Sequence, residues 1–320
     1  MKFRKTIWFV LLTLVISALA CNLPQKSSAP VSAPTDAGFQ APTQAGDQET
    51  AAPVDNPAAQ TTSQPAAPGA VAADQKKLTL GTTSSLADSG LLGLLLTQFQ
   101  ANTGYEVKVE AGGAGRALRL GEKSVADVLL INDPGSEQKF IEDGFGRDRQ
   151  SVLYSDFIIL GPAADQAGVQ SAASAAEAFK KIAAAQASFF ARSNSPDIQG
   201  AETKLWKTAG VSPEGAWYVA SDQGPVGTLK LASDGDGYTL TDRLTFLENK
   251  DKLKLEVLYE GDDLLRNPYH VLTVNPDRSP KINYAGASAL AQFLTSPEAQ
   301  AIIQQFGVDQ FGEPIFFLPD

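Results

Sequence analysis

The segment Ala126-Asp127-Val128-Leu129-Leu130-Ile131 decides the fold of this chain. Its unbroken run of large apolar residues is typical of a strand in a parallel sheet that is covered on both faces. Short strands are also predicted at 78–80 and at 107–109, and apolar residues recur at helical spacing across 91–99. This order of strand, helix, strand, helix and strand indicates an α/β domain.

Alternating elements continue to the C-terminus. Strands are predicted at 157–162, 187–191, 238–241, 255–259 and 271–274. Helices are predicted at 137–143, 172–186, 202–209 and 285–306, with Pro297 breaking the last of these into two.

The N-terminus has the organisation of a bacterial lipoprotein leader. Residues 2–5 carry three basic side chains, residues 7–16 are apolar, and residues 17–20 are small or apolar. Such a segment is a secretory signal peptide and is too short for a comfortable membrane span. Because Cys21 follows directly, we predict a lipoprotein signal peptide at 1–20 and lipidation of Cys21. We therefore expect an extracytoplasmic protein, anchored to the outer face of the cell membrane.

Residues 21–75 are rich in Ala, Pro, Ser and Gln and hold almost no large apolar side chain. A segment of this composition cannot bury enough surface to offset the entropy lost on ordering. We expect a disordered tether between the membrane and a globular part that begins at residue 76.

Composition excludes several classes of function. The net charge is −10, and loss of the leader leaves 23 basic against 36 acidic residues, or −13. An acidic surface argues against nucleic acid as a partner. One Cys and one His allow no disulfide and no metal site built on two such residues. No cofactor motif and no nucleophile elbow is present, so we expect neither a metal, a cofactor nor an enzyme.

Four hydroxyl residues, Thr82-Thr83-Ser84-Ser85, stand between the first predicted strand and the first predicted helix. A helix N-terminus offers unpaired N–H groups and a positive dipole end, and added hydroxyls make it a donor-rich cup for an anion. Ordinary N-capping is the alternative, although it needs only one such residue.

Three further segments are candidate ligand contacts. Gly112-Gly113-Ala114-Gly115-Arg116 would let the backbone approach a ligand at Gly115 while Arg116 supplies charge, or it is a tight turn with an exposed arginine. Arg192 and Ser193 leave a predicted strand, where a guanidinium suits an oxyanion or a structural ion pair. Gln223 and Gly224 form a weaker candidate.

Many motifs of the globular part resemble one family. They include Thr82 to Ser85, Ala126 to Leu130, Phe189 to Arg192, Asn267-Pro268-Tyr269 and Leu294-Thr295-Ser296-Pro297-Glu298. In this order they resemble the tungstate-binding proteins of ABC importers, which are periplasmic-binding-protein-like proteins of type II. The resemblance implies two lobes, each a mainly parallel sheet flanked by helices. We expect lobe 1 at 76–157 and 270–320 and lobe 2 at 158–269.

The resemblance also implies that a small tetrahedral oxyanion is held by Thr82 to Ser85 and by Arg192. Two departures from the family concern the site: Gly113-Ala114-Gly115 lacks a hydroxyl, and Pro196-Asp197-Ile198 replaces a Ser-Gly-Thr sequence. We expect tungstate, then molybdate, delivered by a monomer to ABC permease and ATPase subunits. Phosphate, for which Asp197 could accept a proton, sulfate and a small organic ligand remain alternatives.

Overall fold

A computed structural model describes residues 76–320 of the chain. The predicted signal peptide, the lipidation site Cys21 and the predicted tether lie outside the described residues. The strands are β1 (Lys77–Thr83), β2 (Glu106–Gly112), β3 (Val128–Ile131), β4 (Gly146–Pro162), β5 (Phe189–Arg192), β6 (Tyr218–Ser221), β7 (Thr239–Asp242), β8 (Leu255–Tyr259) and β9 (Arg266–Val274). The helices are α1 (Ser84–Asp88), α2 (Leu91–Thr103), α3 (Ala114–Glu122), α4 (Pro134–Glu142), α5 (Ala175–Ala184), α6 (Pro196–Ala209), α7 (Gly224–Asp234), α8 (Arg243–Leu247), α9 (Tyr284–Leu294), α10 (Pro297–Gln305) and α11 (Val308–Phe311).

The larger sheet is mixed and follows the order β2-β1-β3-β9-β4-β7, with β8 also paired to β4. Its first three strands are parallel, whereas β9 is antiparallel to both β3 and β4. Strands β5 and β6 form a separate parallel pair. The α/β class predicted from the order of elements is therefore confirmed.

Strand β3 is covered on both faces, as its apolar run predicts. Val128 and Leu130 pack into a cluster with residues of α2 and α9, whereas Leu129 and Ile131 pack into another with residues of α3 and α4. All four side chains are fully buried. Burying each large aliphatic side chain contributes about 1.5–3 kcal/mol to folding, so this strand fixes the position of the parallel sheet.

A separate cluster packs α5 and α6 around β5. At its centre Phe179 lies edge-on to Trp206, with ring centroids 4.4 Å apart, and Phe189 lies 5.2 Å from the same indole. The predicted strand at 187–191 and helix at 172–186 are confirmed as β5 and α5, although each is shorter than predicted.

Some elements escaped the sequence prediction. Strand β4 has 17 residues, of which only the apolar part from Phe157 onward was predicted, because its first half carries exposed polar side chains. Strand β6 and helix α7 were also not predicted. Gly81 to Thr83, predicted to break β1, instead continue it, because they pair with Glu110 to Gly112 of β2. A Cβ at Gly81 would lie 2.9 Å from Leu129 Cδ2, so this close approach requires glycine.

The predicted lobe boundaries at 157/158 and 269/270 fall inside β4 and β9. These two strands pair over most of their length, from Gly146 opposite Val274 to Asp156 opposite Arg266. The division into lobes stays a prediction. Among the helices described between residues 76 and 320, none is long and apolar enough to span a membrane.

Candidate ligand-binding cleft

A cleft of about 1440 Å³ opens where the parallel strands end. Thr83 at the end of β1, Gly112 at the end of β2, Asn132 just after β3 and Arg192 at the end of β5 all line it. In α/β sheets, ligands bind in the crevice outside the carboxyl ends of the strands. The position of the cleft therefore follows from the fold.

A smaller pocket of about 130 Å³ adjoins this cleft and shares part of its wall. Drug-sized ligands occupy clefts of about 300–1,000 Å³, so this pocket suits a ligand of a few heavy atoms. Its polar lining includes Ser85, Arg192, Ser195, Asn267 and Tyr269.

Some residues of the predicted hydroxyl run have structural roles, and others line the cleft. Thr82 is fully buried, and its Oγ1 donates to Leu130 O at 2.7 Å, so this side chain ties β1 to β3. Thr83 caps α1, with its Oγ1 accepting from Leu86 N. Ser84 and Ser85 line the cleft beside Thr83. N-capping and anion contact are the two alternatives predicted for this run, and Thr83 occupies a position that allows both.

Tyr269 of β9 extends this hydroxyl group, with its OH 3.1 Å from Ser85 Oγ. Ser85 Oγ in turn donates to Thr83 Oγ1 at 3.1 Å. Burial raises the pKa of the Tyr269 hydroxyl, so it stays protonated at neutral pH. Tyr269 was not among the predicted site residues, because only the pairing of β9 with its neighbours brings it to the end of β1.

The glycine-rich segment at 112–116 brings backbone groups to the cleft but does not bring the charge of its arginine. Gly112 to Gly115 line the cleft, where Gly113 is the N-cap residue of α3 and the first N–H groups of this helix have no intrahelical partner. Arg116 is about half exposed and pairs with Glu110 at 3.0 Å. It is not among the residues that line the cleft. The structure therefore brings Gly115 to the cleft and places Arg116 on the neighbouring surface.

Of the candidates around β5, Arg192 lies in both the cleft and the small pocket. Ser193 turns toward β6, where its Oγ donates to Ser221 O at 2.8 Å. Gln223 and Gly224 begin α7, yet neither lines the cleft, although the following residue Pro225 does. The ligand contacts predicted for all these residues stay predictions.

Arg192 differs from the other two arginines near the pocket in lacking a carboxylate partner. Arg243 pairs with Asp156 and with two further carboxylates, and Arg266 pairs with Asp263 and with the C-terminal Asp320. Within the described part of the chain, no carboxylate lies within 4.0 Å of the Arg192 guanidinium, whose Nε donates to Asn194 Oδ1 at 3.0 Å. An arginine without an ion-pair partner is free to take a bidentate anion.

Burial lowers the pKa of Arg192, while the carboxylates of Asp242 and Asp197 act in the opposite direction. An arginine titrates so far above neutral that the side chain keeps its charge. The cleft thus presents a guanidinium, neutral hydroxyls and helix-end amides, which are groups that suit an anion, together with carboxylates such as those of Asp197 and Asp242. Among residues 76–320, no group of three His, Cys, Asp or Glu side chains is arranged to hold a metal ion.

Comparison with known proteins gives consistent results. A family model described as a PBP superfamily domain matches residues 46–298. A tungstate-binding protein of Peptoclostridium acidaminophilum is 38% identical over 252 residues, which cover 78% of this chain and 88% of that protein. The solved tungstate-binding protein of Desulfovibrio alaskensis is 37% identical with a TM-score of 0.71, covering 76% of this chain and 98% of that one. A tungstate ABC transporter structure from Geobacter sulfurreducens is 41% identical with a TM-score of 0.61, covering 72% of this chain and 98% of that one.

Proposed function

This chain belongs to the PBP superfamily and, within it, to the tungstate-binding proteins, and we propose that it captures a small tetrahedral oxyanion for an ABC importer. Tungstate is the favoured ligand and molybdate the next. The observation that carries the proposal is Arg192, a cation without a carboxylate partner at a pocket whose other polar lining includes Ser85 and Tyr269.

The donors of the pocket suit a fully ionised dianion, although Asp197 adds a carboxylate to its lining. Such an anion has only acceptors, and it needs donors on every side. The Arg192 guanidinium lies in both the cleft and the small pocket, and the first amides of α3 lie at the wide cleft. The hydroxyls of Ser85 and Tyr269 bond to Thr83 and to each other and would turn toward the anion on binding. Since charge-assisted hydrogen bonds contribute about 1.5–3 kcal/mol each, a few of them give useful affinity for a ligand of five heavy atoms.

Binding is proposed to close two lobes around the anion, with β4 and β9 as the connecting strands. A ligand shifts such an equilibrium only through contacts that differ between the open and closed forms. An oxyanion that touches Ser85 from one side and Arg192 from the other would supply that difference. Small-angle scattering should then show a smaller radius of gyration on adding tungstate.

Calorimetric titration of the purified protein with tungstate, molybdate, sulfate and phosphate tests the proposed ligand. Heat with tungstate or molybdate at micromolar concentrations is expected. Absence of heat with all four anions, from a protein shown to be folded by circular dichroism, would refute the oxyanion proposal.

Anchoring and delivery are part of the same proposal. A monomer tethered through lipidated Cys21 would remain at the outer face of the membrane, within reach of the permease of an importer that is driven by ATPase subunits. The relatives are named as binding proteins or transporters, which supports a binding role over an enzymatic one. Replacing Cys21→Ala and following the protein in membrane and soluble fractions tests the anchor, since the unlipidated protein should leave the membrane fraction.

A further inference from the structure

Asp197 is a carboxylate that reaches into the anion pocket from helix α6. It is the second residue of this helix and lines both the cleft and the small pocket. Its Oδ2 accepts from Asn132 Nδ2 at 3.1 Å, and the same Nδ2 donates to Asn267 Oδ1 at 3.0 Å. Three elements, α6, the segment after β3 and strand β9, thus meet at one side-chain amide.

The other carboxylates of the small pocket are already committed to partners. Asp156 makes a two-point ion pair with Arg243. Asp242 caps α8, accepting from the backbone N and the hydroxyl of Thr245, both at 2.8 Å. Within residues 76–320, the side-chain hydrogen bond of Asp197 is to the neutral amide of Asn132, and its charge acts on Arg192 across the pocket.

A second acceptor lies beside it. Asn132 Oδ1 is buried and has no hydrogen-bond partner among the described residues, although Asn132 lines the cleft. A buried acceptor without a donor is unfavourable, because it has lost its contact with water and gained no partner. A fully ionised dianion offers no donor to this side of the site, whereas an oxyanion that carries an O–H group can donate to Asp197.

We propose that Asp197 is a specificity-determining residue that sets the preference between fully ionised oxyanions and oxyanions bearing a hydroxyl group. This inference rests on the proposed function of the cleft. Like charges in a partly buried site repel, so the carboxylate weakens binding of tungstate and molybdate. Hydrogen phosphate escapes part of that repulsion, because its O–H donates to Asp197. The wild-type cleft should therefore prefer fully ionised oxyanions over hydroxyl-bearing ones less strongly than a site lined by donors alone would.

Asp197→Asn tests the assignment, because the amide removes the charge and keeps an oxygen that can accept from Asn132. Tungstate affinity, measured by calorimetry at neutral pH, should rise about tenfold, which corresponds to ~1.4 kcal/mol. Phosphate affinity, measured by competition against tungstate, should stay level or fall. The ratio of the two affinities should rise at least tenfold.

Asp88→Asn is the matched control. Asp88 is exposed at the rim of the wide cleft and does not line the small pocket, so its replacement removes the same charge at a distance. Tungstate affinity in this variant should stay within about twofold of wild type, since exposed charges are screened by salt. Melting temperatures would confirm that both variants are folded, and Asp197→Ser offers a smaller neutral replacement if the first variant is not.

The outcomes separate the two proposals. If the folded wild-type protein binds neither tungstate nor molybdate, both the proposed function and this inference are refuted. Tungstate binding by wild type that is unchanged or weakened in Asp197→Asn ends the inference alone. An equal gain in Asp88→Asn also overturns it, because the effect would then be long-range charge and not a contact in the pocket. If phosphate binds neither protein, the change in tungstate affinity decides.

Discussion

Replacing Arg192→Ala should abolish most of the affinity for the oxyanion while leaving the fold intact. Truncating one partner of a buried, hydrogen-bonded charge pair costs about 2–5 kcal/mol. Because Arg192 is half-buried and partly solvated, the lower part of this range applies, about 2–3 kcal/mol, or roughly a 30- to 160-fold rise in Kd. Unfolding free energy should change by no more than about 0.5 kcal/mol, since Arg192 makes no ion pair with the residues that the structure describes.

Calorimetric titration with tungstate, paired with urea unfolding, separates these two effects. Arg116→Ala is the matched control, because Arg116 is an arginine of the neighbouring surface that pairs with Glu110 and does not line the cleft. Its Kd should stay within about twofold of wild type, as expected for an exposed ion pair. Arg192→Lys should fall between wild type and the alanine variant, because it keeps the charge and loses the planar fork. Arg192 would not be an anion contact if the Kd of Arg192→Ala stayed within threefold of wild type. The same conclusion would follow if Arg116→Ala lost as much affinity for tungstate as Arg192→Ala.

Three further changes probe the hydroxyl group, a buried acid and the interior ion network. Tyr269→Phe should weaken tungstate binding at least about tenfold, since a hydrogen bond to a charged group contributes about 1.5–3 kcal/mol. Calorimetric titration measures this change, and a Kd equal to wild type would exclude the contact. Burial raises the pKa of Glu202, so the folded state holds this proton more tightly than the unfolded state does. The unfolding free energy should therefore fall as the pH rises from the ordinary pKa of Glu through the raised one. Urea unfolding at several pH values should show a flatter slope for Glu202→Gln, and an unchanged slope would contradict this cause. Arg243→Met leaves three carboxylates without their cation and should lower the unfolding free energy by about 3–5 kcal/mol. Lys108→Ala, which removes an exposed ion pair, should lower it by less than about 1 kcal/mol. Similar losses in the two variants would refute the importance of the Arg243 network.

Pattern and propensity determined the α/β class and the elements with a strong apolar period. The run from Val128 to Ile131 could be assigned to a covered strand because burial on both faces demands unbroken apolar residues, and the structure confirms it. The first half of β4 was missed for the complementary reason. Residues 147–151 carry charged and polar side chains, and only their pairing with β9 holds them in an extended conformation.

The cleft shows the same division between local and tertiary causes. The hydroxyl run and the strand that ends at Arg192 could be recognised in the sequence, because the chemistry of an anion site limits the residue types. Arg116 and Arg192 are alike in sequence, each following a strand and near a helix start. Only the tertiary structure separates them, since Glu110 lies beside Arg116 on the surface and no carboxylate of residues 76–320 lies within 4.0 Å of the Arg192 guanidinium.

The sequence by itself determined the kind of domain, the family motifs and the types of residue that could hold an anion, because these depend on local spacing and side-chain chemistry. It could not determine which of those residues meet. Tyr269 approaches Ser85 across 184 positions of the chain, and Asn132 approaches Asp197 across 65. Such contacts depend on the order and register of strands in the sheet, which the packing of the whole domain fixes, and so the tertiary structure alone decided the composition of the site.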